Sequence, residues 1–146
     1  ELPEPARAAA DIAYLVPDPA NELACVLLDH ASAAMDISDG LVGDAGKLAA
    51  ASGCGLIIDT RLVPFPAGIA AVGDCHPALV ELCITGGDDY QVLAAIPPHR
   101  SASFEQAARK AGRPVTRIGA LTAAGTRIIG RDGRDLTLTR GSFSHF

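Results

Sequence analysis

The densest group of chemically active side chains consists of Asp36, Ser38 and Asp39, followed directly by Gly40. The surrounding residues predict a short buried strand over 32–38, and the alternation of a strand directs Asp36 and Ser38 to the same face. Asp39 and Gly40 then turn the chain into a predicted helix. Two carboxylates and a hydroxyl are therefore expected at the carboxyl end of a strand and beside a helix N-terminus, where open α/β sheets bind ligands.

The chemistry that suits this group is phosphate binding through a metal ion. A helix N-terminus favours phosphate, whereas carboxylates alone repel it, so a phosphate site here needs a bridging cation. Mg²⁺ meets this need, because it is typically held by one or two carboxylates together with substrate oxygens. The alternative is structural: Asp39 caps the helix and Ser38 supports a turn.

Spacing excludes three familiar sites. An EF-hand loop starting at Asp36 would need Gly at its sixth position and Glu at its twelfth, but Gly40 is fifth and Lys47 is twelfth. A P-loop ending at Lys47 would need Gly at position 41 and Ser or Thr at position 48, and both positions hold Leu. No recognisable spacing places a nucleophile beside any of the four histidines, so a catalytic triad is not supported.

Two further segments could contribute to a site. Residues 85–90, Thr-Gly-Gly-Asp-Asp-Tyr, place paired glycines, which allow close backbone approach, before Asp88 and Asp89. The alternative is a helix C-cap followed by a solvated acidic turn. Phe143 and Phe146 close a chain that has six aromatic residues in all. They indicate a docked tail or a stacking surface, with anchoring in the core as the alternative.

Composition excludes several classes of protein. The chain has 146 residues, 49% hydrophobic and 20% charged, which is typical of one packed globular domain. Its net charge is −5 and it has no basic patch, which argues against nucleic-acid binding. Its apolar stretches are far shorter than the ~20 residues of a membrane-spanning helix, and no signal peptide is recognised. The four cysteines match no zinc spacing and are expected to be reduced core thiols of a cytoplasmic protein.

The elements that must position these residues alternate between two types. Apolar periodicity and Gly and Pro punctuation predict helices over 19–30, 41–52, 77–86 and 103–111, and strands over 32–38, 55–59, 90–96, 115–118, 127–129 and 136–139. Asp18 is a predicted N-cap, with Pro19 at the first helical position. This alternation favours an α/β domain with a mixed sheet, which includes 32–38 and 90–96. Residues 1–12 are expected to be a linker remnant and residues 13–146 the domain.

The motifs together resemble one family. Residues 32–41, 85–90 and 143–146, with lesser matches at 14–19 and 115–119, agree in order and spacing with the C-terminal half of thiamine-monophosphate kinases. The similarity covers 13–146, nearly the whole chain. It implies the C-terminal domain of the aminoimidazole-ribonucleotide-synthetase-like fold, an α/β (α+β) domain whose mixed sheet has helices chiefly on one face.

The resemblance also implies an activity and a set of site residues. The family transfers the γ-phosphate of ATP to thiamine monophosphate, giving thiamine diphosphate, by direct Mg²⁺-dependent transfer. Carried over by motif position, Asp36 and Asp39 are Mg²⁺ ligands and Ser38 is an ATP contact. Asp88 and Phe143 fall at substrate-binding positions, and no residue is a nucleophile.

Two departures and one absence qualify the resemblance. Gln91 stands where the family usually has Glu, and Ser142 stands where it usually has Gly. Family members also have an N-terminal domain that supplies most of the metal-binding aspartates. The chain is therefore expected to be half of a catalytic site, inactive alone and part of a cytoplasmic homodimer when complete. The alternatives are another ATP-using synthetase of the superfamily and a non-catalytic interaction domain.

Overall fold

Helices and strands alternate along the part of the chain that is described. The computed structural model describes residues 4–66, 76–87 and 90–138. Within them the α-helices are α1 (Glu4–Leu15), α2 (Ala24–His30), α3 (Leu41–Ala51), α4 (Pro77–Thr85) and α5 (Ser101–Lys110). Short 3₁₀ turns, Asn21–Leu23 and Pro98–Arg100, lead into α2 and α5. None of these described helices is long and apolar enough to cross a membrane.

The strands form two sheets within the described residues. β1 (Ala33–Asp36) pairs antiparallel with β3 (Val92–Ala95) in a two-stranded sheet. β2 (Gly55–Asp59) is the centre of a three-stranded sheet, antiparallel to β4 (Gly119–Thr122) and parallel to β5 (Thr126–Ile129). The second sheet is therefore mixed.

Helix α3 links the two sheets, because it contacts both β1 and β2 as well as α4. It places Leu41, Ala45 and Ala49 on one face at the spacing of a helix. This face forms part of the main core cluster, which also contains Ile37, Leu56, Ile58, Ile84 and Ile128. The apolar spacing of α3 predicted from the sequence is confirmed, and the helix packs against both sheets.

A smaller cluster packs α2 against α5. Leu23 and Ala108 are buried in it, and the ring of His30 lies 6.0 Å from that of the buried Phe104. Just after α5, the guanidinium of Arg113 donates to both carboxylate oxygens of Asp18 at 2.6 Å. It also donates to Glu22 at 2.9 Å. These hydrogen bonds lower the pKa values of Asp18 and Glu22.

The predicted fold class is confirmed, since helices alternate with strands and one sheet is mixed. The placement of two strands was wrong: 32–38 and 90–96 contribute β1 and β3, which pair with each other in a separate antiparallel sheet. The strand predicted over 115–118 begins only at Gly119. A Cβ there would lie 2.0 Å from the carbonyl oxygen of Ile57, so glycine permits this strand pairing.

Three smaller expectations also differ. Asp18 is not an N-cap, because its carboxylate binds Arg113 and the 3₁₀ turn has no side-chain cap. Cys25 and Cys83 are exposed rather than in the core. Of the strand predicted over 136–139, the described residues 136–138 are not in a strand, although the neighbouring Asp135 forms a bridge with Ile129.

The segment predicted to be a linker remnant contributes α1. Every side chain described in this helix is exposed, including Ile12, Tyr14 and Leu15, which are each about two thirds exposed or more. Its role as a linker, and residues 13–146 as the domain, remain predictions.

Replacing Arg113 is expected to change how stability depends on pH. The ordinary pKa values of Asp18 and Glu22 are 3.8 and 4.5, and both are lowered in the folded chain. The folded state therefore binds fewer protons than the unfolded state in this range, so the stabilisation is complete above pH 4.5 and is lost as the pH falls through the lowered values. The thermal midpoint of Arg113→Met should lie below that of the wild type at pH 6 and approach it at pH 3.

Arg134→Met is the matched control for this comparison. It removes the same charge, but Arg134 lies 4.0 Å from Asp132 on an exposed turn. Its midpoint should follow the wild-type curve throughout. An equal gap between wild type and Arg113→Met at both pH values would contradict the prediction.

Candidate functional site

The predicted acidic group lies where β1 runs into α3. Asp36 is exposed at the end of β1, Ile37 is buried, and Ser38 and Asp39 are half-buried. This alternation of exposure agrees with the strand pattern predicted for Asp36 and Ile37. Asp36, at the end of β1, thus lies close in sequence to Ser38 and Asp39 on the connection to α3. We call residues 38–40 the acidic loop.

Gly40 makes the turn from the acidic loop into α3. Its φ angle is 107°, a positive value that glycine adopts readily and other residues rarely adopt. A Cβ on Gly40 would lie 2.7 Å from the carbonyl carbon and oxygen of Thr85. Gly40 is itself the N-cap of α3, and no side chain makes a cap hydrogen bond there. The structural alternative in which Asp39 caps this helix is therefore wrong.

Asp44, in the first turn of α3, anchors the acidic loop through hydrogen bonds to its backbone. The side chain of Asp44 is completely buried. Its Oδ2 accepts hydrogen bonds from the backbone N–H groups of Ser38 and Asp39, each at 2.9 Å. Burial raises the pKa of Asp44, but the hydrogen bonds from Lys47 and from these two amides outweigh it and the pKa is lowered. Asp44 therefore stays ionised and fixes the loop backbone.

Lys47, one turn further along α3, provides a cation at the same place. Its Nζ donates to Oδ1 of Asp44 at 2.8 Å and also contacts Oδ2 of Asp39. The hydrogen bond to Asp39, and to a lesser extent the one to Asp44, raises the pKa of Lys47 to about 12. The side chain is 52% exposed, so its stem reaches over the surface to the loop.

Residues 85–87 of the glycine-rich segment lie directly against the acidic loop. A Cβ on Gly87 would come within 2.2 Å of the carbonyl oxygen of Ser38, so the two backbones touch. The N–H of Tyr90, which has φ 53°, donates to the carbonyl oxygen of Ile37 at 2.8 Å. The structure thus brings together two segments that the sequence marked separately.

The remaining predicted site residues are not all described. Asp88 and Phe143 lie outside the described residues, as does Ser142. Gln91, the other departure from the family pattern, is exposed, and its side-chain amide donates to the backbone oxygen of Asp18 at 3.4 Å.

The carboxylates at this place are suitable ligands for magnesium but are too few to form a complete site. Asp36 and Asp39 offer carboxylate oxygens, and the contact with the Lys47 ammonium shows that the Asp39 carboxylate pairs with a positive charge. Among residues 4–66, 76–87 and 90–138, however, no group of three or more His, Cys, Asp or Glu could hold a metal. The residues therefore fit Mg²⁺ that takes one or two carboxylates and obtains its other oxygens elsewhere.

Sequence reasoning missed the roles of Asp44 and Lys47. Asp44 has no role in the predictions made from the sequence, and Lys47 enters them only through the EF-hand and P-loop patterns that the spacing excludes. The available signal was an acid in the first turn of a helix that follows a tight glycine turn, because such an acid can reach back to preceding amides. Lys47 then follows at the i+3 spacing of a helical ion pair.

Comparison with known families decides the relationship. The family described as AIR synthase related protein, C-terminal domain, matches residues 6–131. The chain belongs to this family. Its sequence is 36% identical over 135 residues to a thiamine-monophosphate kinase of Caulobacter vibrioides, covering 90% of this chain and 38% of that protein. The resemblance inferred from the motifs is thereby confirmed.

Solved structures agree with this relationship. Thiamine-monophosphate kinase from Stenotrophomonas maltophilia is similar with a TM-score of 0.78 and 26% identity, over 87% of this chain and 40% of that one. A structure of AaThiL complexed with AMPPCP and TMP is similar with a TM-score of 0.76 and 28% identity, over 100% of this chain and 44% of that one. The chain spans about two fifths of the length of the relatives it matches.

The contact between the two backbones predicts opposite effects of two glycine substitutions. Gly87→Ala must move the acidic loop, because its Cβ would overlap the carbonyl oxygen of Ser38, and it should lower the free energy of unfolding by about 1–3 kcal/mol. Gly46→Ala, within α3, meets nothing within 4 Å and should raise it by about 0.5–1 kcal/mol. Urea unfolding measures both. Wild-type stability of Gly87→Ala would contradict the described contact.

Removal of the buried carboxylate should be more costly than removal of an exposed one. Asp44→Ala deprives two backbone donors and Lys47 of their acceptor, so we expect a loss of about 2–4 kcal/mol in urea unfolding. Asp135→Ala is the control, because Asp135 forms an exposed ion pair with Arg127 that contributes about 1 kcal/mol or less. Equal losses for the two variants would show that Asp44 does not anchor the loop.

Proposed function

We propose that the chain is the C-terminal part of a kinase that transfers the γ-phosphate of ATP to thiamine monophosphate, giving thiamine diphosphate and ADP. The observation that carries this proposal is the similarity of nearly the whole chain to thiamine-monophosphate kinases. The structure of AaThiL with AMPPCP and TMP matches all of this chain. Those two molecules correspond to the nucleotide and the acceptor of the proposed reaction.

The residues of this chain act by binding and orientation. In the proposal, Asp36 and Asp39 hold Mg²⁺, Ser38 contacts ATP, and Asp88 and Phe143 position thiamine monophosphate. Magnesium, when bound, supplies positive charge that offsets the negative charge of the phosphates. No protein nucleophile is needed, because a phosphate oxygen of thiamine monophosphate attacks the γ-phosphorus and ADP leaves. In-line positioning of the two substrates is then the main requirement.

The proposed activity needs more than this chain. The chain corresponds to about two fifths of its relatives, and its described part gathers too few carboxylates for a complete metal site. We therefore propose that an N-terminal domain provides the other metal ligands and much of the nucleotide site. The resemblance extends the proposal to a homodimer in the cytoplasm.

Joining this chain to the N-terminal part of the Caulobacter vibrioides relative tests the proposal. The joined protein should convert thiamine monophosphate to the diphosphate with Mg-ATP, whereas the 146-residue chain alone should not. Chromatography of thiamine phosphates measures both. Turnover of a different acceptor only would indicate another ATP-using synthetase, and turnover of no acceptor would indicate an interaction domain. Formation of thiamine diphosphate by the chain alone would refute the proposal that it carries only half of the catalytic site.

In the joined protein, Asp36→Asn should lower turnover at least about tenfold, which corresponds to about 1.4 kcal/mol of activation free energy. The substitution keeps the size of the side chain but removes the charge of a proposed metal ligand. Asp29→Asn, an exposed acid on α2, makes the same charge change and should leave turnover unchanged. Thermal unfolding should be nearly the same for both, since Asp36 is exposed as well. Equal turnover of the two variants would exclude Asp36 as a ligand.

A further inference from the structure

The acidic loop already has a cation beside it, supplied by α3. The chain contains only two lysines, Lys47 and Lys110, and Lys47 reaches carboxylates of both Asp44 and Asp39. Its half-exposed stem lies over the surface, so its ammonium can move without disturbing the core. This placement gives Lys47 two contacts of different character.

The carboxylates of Asp44 and Asp39 differ in whether a ligand from solvent can replace their contact with Lys47. Asp44 is completely buried, and both of its oxygens are used, one by two loop amides and the other by Lys47. The Asp39 side chain retains 26% of its exposure, so a ligand from solvent can reach it. The contact of Lys47 with Asp44 is therefore the fixed one and the contact with Asp39 is the replaceable one.

We propose that Lys47 is the counter-ion of Asp39 in the metal-free protein and releases Asp39 when Mg²⁺ binds there. The inference rests on the proposed function, which makes Asp39 a magnesium ligand. An ammonium and a divalent cation repel each other at one carboxylate, so the two compete. Lys47 stays attached to Asp44 through its flexible stem after Asp39 is released.

The competition also discriminates between cations. A monovalent ion brings no more charge to Asp39 than the ammonium it would replace, and it must also free the ammonium from its tether. A divalent ion brings twice the charge at a similar distance, so its attraction to the carboxylate is about twice as large. Lys47 thus offsets part of the negative charge at Asp39 in the metal-free protein and selects for divalent over monovalent cations.

Magnesium titration of the joined protein, which contains the complete proposed site, followed by the amide NMR shifts of Ser38 and Asp39, tests this proposal with a readout that requires no activity. The variants are Lys47→Met, Lys47→Gln and Lys47→Arg, with NaCl at matched ionic strength as the salt control. Lys110→Met is the charge control, because it changes the net charge equally at an exposed position on α5. The remaining amide spectrum verifies that each variant is folded.

Removing the Lys47 charge should lower the dissociation constant for Mg²⁺ about threefold or more in Lys47→Met and Lys47→Gln. Lys47→Arg and Lys110→Met should bind as the wild type does, and NaCl should shift the two wild-type amides little. Equal dissociation constants for Lys47→Met and wild type, or equal tightening by Lys47→Met and Lys110→Met, would overturn the proposal.

The outcomes separate this inference from the proposed function. A magnesium response that is the same in all variants leaves Asp39 as a ligand and rejects only the role of Lys47. No response in any variant, beyond that caused by NaCl, rejects the role of Lys47 together with the magnesium assignment of Asp39. The kinase activity of the joined protein is measured separately and does not depend on either result.

Discussion

The geometry of the site depends on one buried charge. A carboxylate without exposure to water is tolerated only when hydrogen bonds and an opposite charge compensate it. Asp44 obtains this compensation from the amides of Ser38 and Asp39 and from Lys47. The first turn of α3 adds the favourable field of a helix N-terminus. The acidic loop cannot move away without leaving this charge unsatisfied, so the start of the helix and the shape of the loop are determined together.

Local patterns in the sequence predicted most of the elements, but not how the strands pair. The apolar spacing of α3 and the strand over 55–59 are visible within short windows and were found in place. The pairing of β1 with β3 joins segments about sixty residues apart along the chain, and no local period encodes a partner. The start of β4 at Gly119 likewise depends on the approach of Ile57, a contact that only the folded chain contains.

The site was predictable in its residue types but not in its supports. Asp36, Ser38 and Asp39 could be marked because acids and a hydroxyl before a glycine suggest metal-assisted phosphate chemistry. The anchoring by Asp44 and the approach of Lys47 depend on how the acidic loop passes the N-terminal turns of α3. The composition of the sequence does not reveal this path. The roles of Asp88 and Phe143 come from family resemblance and remain predictions, because both residues lie outside the described part of the chain.

The contact between Gly87 and Ser38 has a consequence for how such domains diverge. Since the two segments meet through main-chain atoms, the distance between them does not depend on the side chains that follow in either segment. Substitutions such as Gln91 in place of Glu can then accumulate beside the glycine pair while the acidic loop keeps its geometry. The backbone contact between Gly87 and Ser38 thus makes the geometry of the acidic loop independent of the side chains beside it.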